Sequence, residues 1–223
     1  MKNIKNIMWF SLRSYRIFYA ILGGILAALS ILDIFILKST LGAELITVMS
    51  TITTVVFIFF IIQFCNEISK TQGRLLFMAP FKAWEFLTAK YILHTVVQII
   101  LVTSTSLIAF IGNVELKSEI IITGQSLLGS FAIMYIFICS LIIIYGSYVS
   151  NNGIVTVLVI LTSIILPTIV GWGIEKIIDF LPYIYLKIGS VEIDLLVIAA
   201  AIMVIVSLMV VSTKLLKSKL DIN

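Results

Sequence analysis

Long apolar runs separated by short polar stretches dominate the chain. Each run is continuous over about 17 to 23 residues, close to the ~20 apolar residues that an α-helix needs to cross a bilayer core of ~30 Å. The runs lack the alternation of apolar and polar positions that a membrane β-barrel requires. We therefore predict an all-α protein with six transmembrane helices, at Ile17–Leu37, Leu45–Phe64, Ile92–Ile111, Leu127–Val149, Ile154–Val170 and Leu195–Thr213.

The polar stretch over residues 65–91 is unusually long for a connection between membrane helices. A proline disfavours helix at the residue before it and suits the first position of a helix, so a separate short helix is predicted over Pro80–Thr88. Phe81, Trp84 and Glu85 lie close to one face of it. Two interpretations stay open: docking into a groove of another protein, or an interfacial helix with its aromatic rings among lipid headgroups.

In residues 1–16, basic and apolar side chains fall on opposite sides of a helical wheel. This pattern predicts an amphipathic helix on the inner leaflet, with Trp9 and Phe10 at its flanks. A cleaved signal peptide is the competing interpretation, because Ala28–Ser30 resembles a cleavage site, but the apolar run continues through Leu37. The basic arc contains Lys2, Lys5, Arg13 and Arg16, and the apolar arc contains Ile4, Ile7, Met8 and Tyr15.

Residues 171–194 are apolar, but charges among them prevent them from spanning the membrane. Apolar residues at helical spacing up to Leu181, followed by Pro182, predict a short amphipathic helix. With a second short segment it would form a hairpin that dips into the outer leaflet, with Trp172 at headgroup level. A plain external loop is the alternative. The turn over residues 150–153 is so short that the spans on either side of it must be neighbours.

Composition supports the membrane assignment. Hydrophobic residues make up 61% of the chain and charged residues 12%, with a mean hydropathy of +1.21, which excludes an ordinary water-soluble domain. The positive-inside rule places both termini and the 65–91 loop in the cytosol. The predicted order is an interfacial helix (1–16), a six-helix transmembrane domain (17–213) and a cytosolic tail (214–223). The net charge of +4 follows from this topology and gives no indication of nucleic-acid binding.

Several residues inside the predicted spans are candidates for function. Gly23, Gly24 and Ala27 form a small-residue face that lets another helix approach closely. Asp33 is an ionisable group about one turn from the outer end of its span, where a functional role competes with simple exposure to water. His94, the only histidine, lies at the cytosolic start of its span, where headgroup contact explains it more simply than proton or metal chemistry.

Uncharged polar residues follow His94 in the third span. Gln98, Thr103 and Thr105 are candidates for a polar substrate path, although packing between helices is the competing and favoured interpretation. The sequence lacks the residue sets of common catalytic sites: none of its 12 glycines belongs to an ATP-binding phosphate loop. Cys65 and Cys139 have no metal-site spacing, and we expect no disulfide between them. We therefore expect neither an enzyme nor a resident cofactor or metal.

Residues 67–91 resemble the segment between the second and third spans of ABC-2 type permeases, the membrane subunits of ATP-driven exporters. The six-span layout, the amphipathic N-terminal helix and the apolar hairpin before the last span are also similar. Arg74 and Ala83 depart from the family pattern, which often has Thr and Arg there. The matching residues are an acidic residue, a glycine, a Leu-Leu pair, a proline and a lysine: Glu67, Gly73, Leu75, Leu76, Pro80 and Lys90.

The resemblance implies a half-transporter that needs a second permease subunit, identical or different, and separate ATPase chains carrying ATP and Mg²⁺. The predicted short helix would then be the coupling helix that contacts the ATPase. Glu67, Gly73 and Pro80 would shape its loop. The implied contact residues are Phe81, Lys82, Trp84 and Glu85.

The expected function is that of a bacterial plasma-membrane permease subunit. Because Asp33 is the only ionised group in the predicted spans, we expect the exported substrate to be hydrophobic or amphipathic: a peptide, a lipid-like compound or a drug. The alternative is a non-transporting immunity or scaffold subunit that binds a peptide or partner protein. An ATPase encoded beside this chain would favour transport.

Overall fold

The computed structural model describes residues 2–32, 42–68, 82–111, 117–149, 151–178, 185–188 and 191–220. The predicted sites at Asp33, Gly73, Pro80 and Phe81 lie outside these residues. The described chain divides into two compact units, residues 1–135 and 136–223. Each is considered by itself below.

Seven helices and one two-stranded ribbon make up the described part of the chain. They are α1 (Lys2–Ser14), α2 (Arg16–Leu32), α3 (Gly42–Ile68), α4 (Ala83–Ile111), α5 (Lys117–Tyr148), α6 (Asn152–Ile178), β1 (Tyr185–Ile188), β2 (Val191–Asp194) and α7 (Leu195–Leu220).

The helical membrane character predicted from the apolar runs is confirmed. Four helices, α3 to α6, are long and apolar enough to cross a membrane within the described residues, and α2 contains a shorter apolar segment, Arg16–Ala28. A helix is present at each of the six predicted spans. Six membrane crossings remain a prediction.

The predicted separate helix over Pro80–Thr88 is wrong for the residues that the structure describes. From Ala83 onwards the chain belongs to α4, which continues to Ile111. The backbone N–H of Lys82 donates to Oε2 of Glu85 at 3.0 Å, and the Glu85 N–H donates to the Lys82 carbonyl at 2.9 Å. This is one half of a capping box, with Lys82 as the N-cap residue. No helix-breaking residue follows it before the membrane segment.

The predicted short helix after the fifth span is also wrong. Residues 171–178 continue α6 without interruption, because the sequence offers no proline there until Pro182. Tyr185–Ile188 and Val191–Asp194 then pair as antiparallel strands, with Lys187 opposite Glu192. The all-α prediction is confirmed for the helices, and this eight-residue ribbon is a local departure from it.

In the first unit, α3 and α4 pack side by side in opposite directions. Aromatic contacts follow this arrangement: the Phe64 and Phe86 ring centroids are 6.1 Å apart, and those of Phe60 and His94 are 5.2 Å apart. Near the other end of the pair, α5 lies so close that a Cβ on Gly124 would be 2.7 Å from Cγ1 of Val102. A glycine permits this approach of helix backbones.

In the second unit, the last turns of α5 pack against α6. Phe137, Leu141, Val155 and Val159 form the buried cluster between them. The Tyr145 hydroxyl lies 2.7 Å from Oγ1 of Thr162, close enough for a hydrogen bond. The helices on either side of the short turn are thus neighbours, as the sequence predicted.

Candidate functional site: a buried polar seam beneath the start of α4

A charged pair is buried where α3 ends and α4 begins. Nζ of Lys90 forms an ion pair with Oε2 of Glu67, and the two side chains are only 1% and 6% exposed. Sequence reasoning had placed both residues in a water-accessible loop, which is wrong. Glu67 belongs to the last turn of α3, and Lys90 to the third turn of α4. The long lysine stem lets its ammonium reach the end of the neighbouring helix.

The Lys90 ammonium also contacts the N-terminal helix. It donates to Oγ of Ser11 at 2.5 Å, and Ser11 is 1% exposed. On α3, Nε2 of Gln63 donates to the other Glu67 oxygen at 2.9 Å. One cation therefore links α1, α3 and α4. Buried ionic groups need such additional partners, because the attraction between the two charges alone does not compensate for their lost hydration.

Helix α1 lies against α4 with its apolar side. Ile7 is 1% exposed, whereas Trp9 and Phe10 are 66% and 53% exposed. Nδ2 of Asn3 donates to Oε2 of Glu85 at 3.0 Å, which fixes the start of α1 beside the start of α4. The helix predicted over residues 1–16 is present, but Ile7 of its apolar arc packs on protein. Its contact with the inner leaflet remains a prediction.

Tyr15 follows α1 and lies near the same carboxylate. Burial raises the pKa of the Tyr15 hydroxyl, the negative charge of Glu67 raises it further, and a hydrogen bond with Asn66 partly offsets both. A phenol with a raised pKa keeps its proton at neutral pH. The Tyr15 ring also meets Phe59 of α3 edge-on at 5.5 Å.

The buried polar side chains continue from Lys90 along α4. His94 is fully buried and stacks on Tyr135, with ring centroids 4.1 Å apart. The prediction that His94 contacts headgroups is therefore wrong. Nε2 of Gln98 donates to the Thr53 carbonyl of α3 at 3.2 Å and lies 3.4 Å from Nε2 of His94.

We call this set of buried residues the polar seam. Apart from Oε2 of Glu67, which is ion-paired with Lys90, three of its atoms have no hydrogen-bond partner among the described residues, namely Oε1 of Gln63, Nδ1 of His94 and Oε1 of Gln98. The seam runs along the α3–α4 contact, and at the Glu67–Lys90 pair it also includes Ser11 of α1. Its members are Ser11, Thr53, Gln63, Glu67, Lys90, His94 and Gln98.

The predicted coupling residues do not all share one exposed face. Lys82 is exposed and Trp84 is 46% exposed, so both are accessible at the start of α4. Glu85 is only 7% exposed and bonds to Asn3 and to the Lys82 backbone. Its predicted place beside Trp84 on an outward face is therefore wrong. Glu85 instead caps the start of α4 and binds Asn3 of α1.

Protein-family models, curated proteins and solved structures were compared with this chain, and none matches it. The likeness to ABC-2 permeases rests on the residues quoted above.

The three residues predicted to form a substrate path do not line one surface. Gln98 and Thr105 are buried, whereas Thr103 is exposed. The Thr105 hydroxyl donates to the carbonyls of Leu101 and Val102 in its own helix, both at 3.0 Å. Gln98 belongs to the polar seam, and a substrate path that joins all three residues remains a prediction.

The small-residue face of α2 is open. Gly23, Gly24 and Ala27 are exposed. No described atom lies within 4 Å of a Cβ built on either glycine, so another helix has room to approach there. The described residues contain no group of three metal-ligating side chains, and no disulfide joins Cys65 to Cys139.

Proposed function

We propose that this chain is the membrane permease subunit of an ATP-driven exporter. The observation that supports this most is the arrangement at the start of α4. An exposed cation and an exposed indole, Lys82 and Trp84, begin a long apolar helix, and a buried ion pair fastens this helix to α3. A partner that binds Lys82 and Trp84 acts on a membrane helix without an intervening loop.

The proposed partner is a separate ATPase chain that carries ATP and Mg²⁺. When two ATPase chains close on ATP, they press on the start of α4 and tilt the packed helices of the first unit, a shear motion of the kind common in switching proteins. Aromatic and basic side chains are frequent anchors in such contacts. Lys82 and Trp84 are the anchors in this proposal, and Phe81 precedes them in sequence.

A second permease subunit completes the proposed pore. The exposed face formed by Gly23, Gly24 and Ala27 is where α2 of one copy would meet its neighbour, because small residues allow close contact between helices in lipid. Cross-linking of native membranes is expected to give a permease dimer. A second permease protein, if one is encoded nearby, would take the same place.

The proposed substrate is hydrophobic or amphipathic. The described charges inside the first unit neutralise one another at Glu67 and Lys90 and so are not available to an ionic substrate. Desolvating an ionic solute without such partners is costly. A peptide, lipid-like compound or drug that enters from the inner leaflet avoids this cost.

The test is to look for an ATPase gene beside that of this chain, co-express the two, purify the complex into lipid nanodiscs and measure ATP hydrolysis. Trp84→Ala is expected to reduce co-purification and ATPase stimulation at least tenfold, since an anchoring aromatic contributes ~2 kcal/mol or more. Trp172→Ala is the matched control: this indole is also exposed but lies at the predicted outer side.

A substrate panel completes the test. Amphipathic peptides and lipids should stimulate hydrolysis by the native complex, and sugars should not. If the neighbouring ATPase neither co-purifies nor responds to any compound, the alternative of a non-transporting immunity or scaffold subunit replaces this proposal.

A further inference from the structure

Three helices, α1, α3 and α4, meet at the Lys90 ammonium. Helix α3 directly precedes α4 in the chain, whereas α2 and α3 lie between α1 and α4 in the sequence. Glu67 approaches from α3 and Ser11 from α1, while Lys90 itself belongs to α4. All three residues are at most 5% exposed. Breaking such a junction is costly, because removing one charged partner leaves the other charge buried without compensation.

We propose that Lys90 is a positioning residue that ties α1 to the α3–α4 pair, so that α1 moves together with the start of α4. This role rests on the proposed function, since α4 is moved there by the ATPase. The link between α1 and the α3–α4 pair depends only on the contacts of Lys90 with Ser11 and Glu67. In this arrangement α1 is part of the moving body.

The contact of Lys90 with Glu67 and its contact with Ser11 have different consequences. The Glu67 contact holds α3 to α4, and these helices also share the aromatic contacts of Phe64 with Phe86 and of Phe60 with His94. The Ser11 contact reaches α1, whose start is also held to α4 by the Asn3–Glu85 hydrogen bond. Losing the Ser11 contact should therefore loosen α1 and leave the α3–α4 pair intact.

Serine at position 11 has a matched counterpart in the same helix. Ser11 is buried and its hydroxyl also donates to the Ile7 carbonyl at 3.0 Å, whereas Ser14 is exposed. Ser11→Ala and Ser14→Ala both replace serine by a better helix former. A difference between them therefore reports the contact with Lys90 and not the helix propensity of α1.

The experiment is amide hydrogen exchange of the whole chain in lipid nanodiscs, without the ATPase. Ser11→Ala is expected to speed exchange in residues 2–14 about tenfold, while exchange in α3 and α4 stays within about twofold of the native protein. Lys90→Met should speed exchange in α1, α3 and α4 together, because it removes both contacts. Should Lys90→Met fail to fold, Ser11→Ala against Ser14→Ala still decides the matter.

Equal exchange of α1 in Ser11→Ala and Ser14→Ala would overturn the tie. So would an equal acceleration of α3 and α4 in Ser11→Ala, because the contact would then support the whole unit. A second arm measures co-purification of the neighbouring ATPase with the native chain. Its failure removes the proposed function but leaves the exchange result intact, so the two ideas fail separately. With the ATPase bound, Ser11→Ala should keep co-purification and lower substrate-stimulated hydrolysis at least threefold.

Discussion

Lys90 and Glu67 form a buried ion pair although residues 69–81 separate their helices in the sequence. The pair closes the polar seam at the end where α3 stops and α4 starts. It also fixes the distance between the two ends of that intervening segment.

The first prediction concerns the strength of the pair. Lys90→Met or Glu67→Gln alone leaves a buried charged or polar partner and is expected to cost about 3–5 kcal/mol. The melting temperature in nanodiscs should fall by roughly 6 °C or more. The double variant should be closer to native than either single variant, because neither charge is then left unpaired.

Exposed residues of the same types serve as controls for that cycle. Glu119 and Lys217 are exposed, and Glu119→Gln and Lys217→Met should change the melting temperature by less than about 2 °C. Strictly additive effects of the two seam substitutions would show that the pair is not coupled.

The second prediction concerns the close approach at Gly124. A Cβ there would be 2.7 Å from Cγ1 of Val102 and 3.5 Å from Sδ of Met49. Gly124→Ala is therefore expected to destabilise the protein by about 1–3 kcal/mol, in spite of the better helix propensity of alanine. Thermal unfolding in nanodiscs measures it, and Val102→Ala should restore part of the loss.

Gly129 provides the matched control in the same helix. No described atom lies within 4 Å of a Cβ built on it. Gly129→Ala should be neutral or stabilising by up to ~1 kcal/mol. If Gly124→Ala is likewise neutral or stabilising, α5 does not pack on α3 and α4 as closely as the distances to Val102 and Met49 indicate.

The third prediction concerns His94. Its Nδ1 has no hydrogen-bond partner among the described residues, and its ring is surrounded by aromatic rings, including those of Tyr135 and Phe60. Phenylalanine keeps the ring stacking and removes a buried polar atom without a partner, so His94→Phe should change stability by less than ~1 kcal/mol. His94→Ala should cost ~2 kcal/mol or more, because it leaves a cavity. A large loss in His94→Phe would instead point to a necessary polar contact at Nδ1.

The fourth prediction concerns orientation. In a background with Cys65→Ser and Cys139→Ala, Lys82→Cys and Lys217→Cys should react with a membrane-impermeant maleimide only from the cytosolic side. Lys117→Cys and Lys187→Cys should react from outside, as the positive-inside rule requires. Labelling of Lys82→Cys in intact cells would show that the orientation is the reverse of the predicted one, and the proposed ATPase contact would then be wrong.

The sequence predicted the membrane helices well because continuous apolar runs of the right length have few other solutions. It failed at Pro80–Thr88 because a proline marks where a helix can begin, not where it ends. The chain from Lys82 onwards contains no signal that stops the helix. The sequence does contain a pattern typical of a hairpin at the ribbon. Gly189-Ser190 separates two runs rich in branched apolar residues.

The polar seam was partly visible in the sequence. Lys90, His94 and Gln98 recur at every fourth position of an apolar helix, and Gln63 and Glu67 have the same spacing, so each set shares a helix face. Spacing cannot tell whether such a face meets lipid headgroups, water or another helix. The burial of Lys90 depends on Ser11, whose approach to α4 is a tertiary contact that no local pattern encodes.

The ribbon has a mechanical consequence for the last helix. Strand β2 ends at Asp194 and α7 begins at Leu195, so no connecting residue can absorb a displacement between them. Asp194 pairs with Tyr185 at the open end of the ribbon, next to the first turn of α7. A molecule that binds the ribbon and displaces it would therefore also displace the first turn of α7, a helix predicted to cross the membrane.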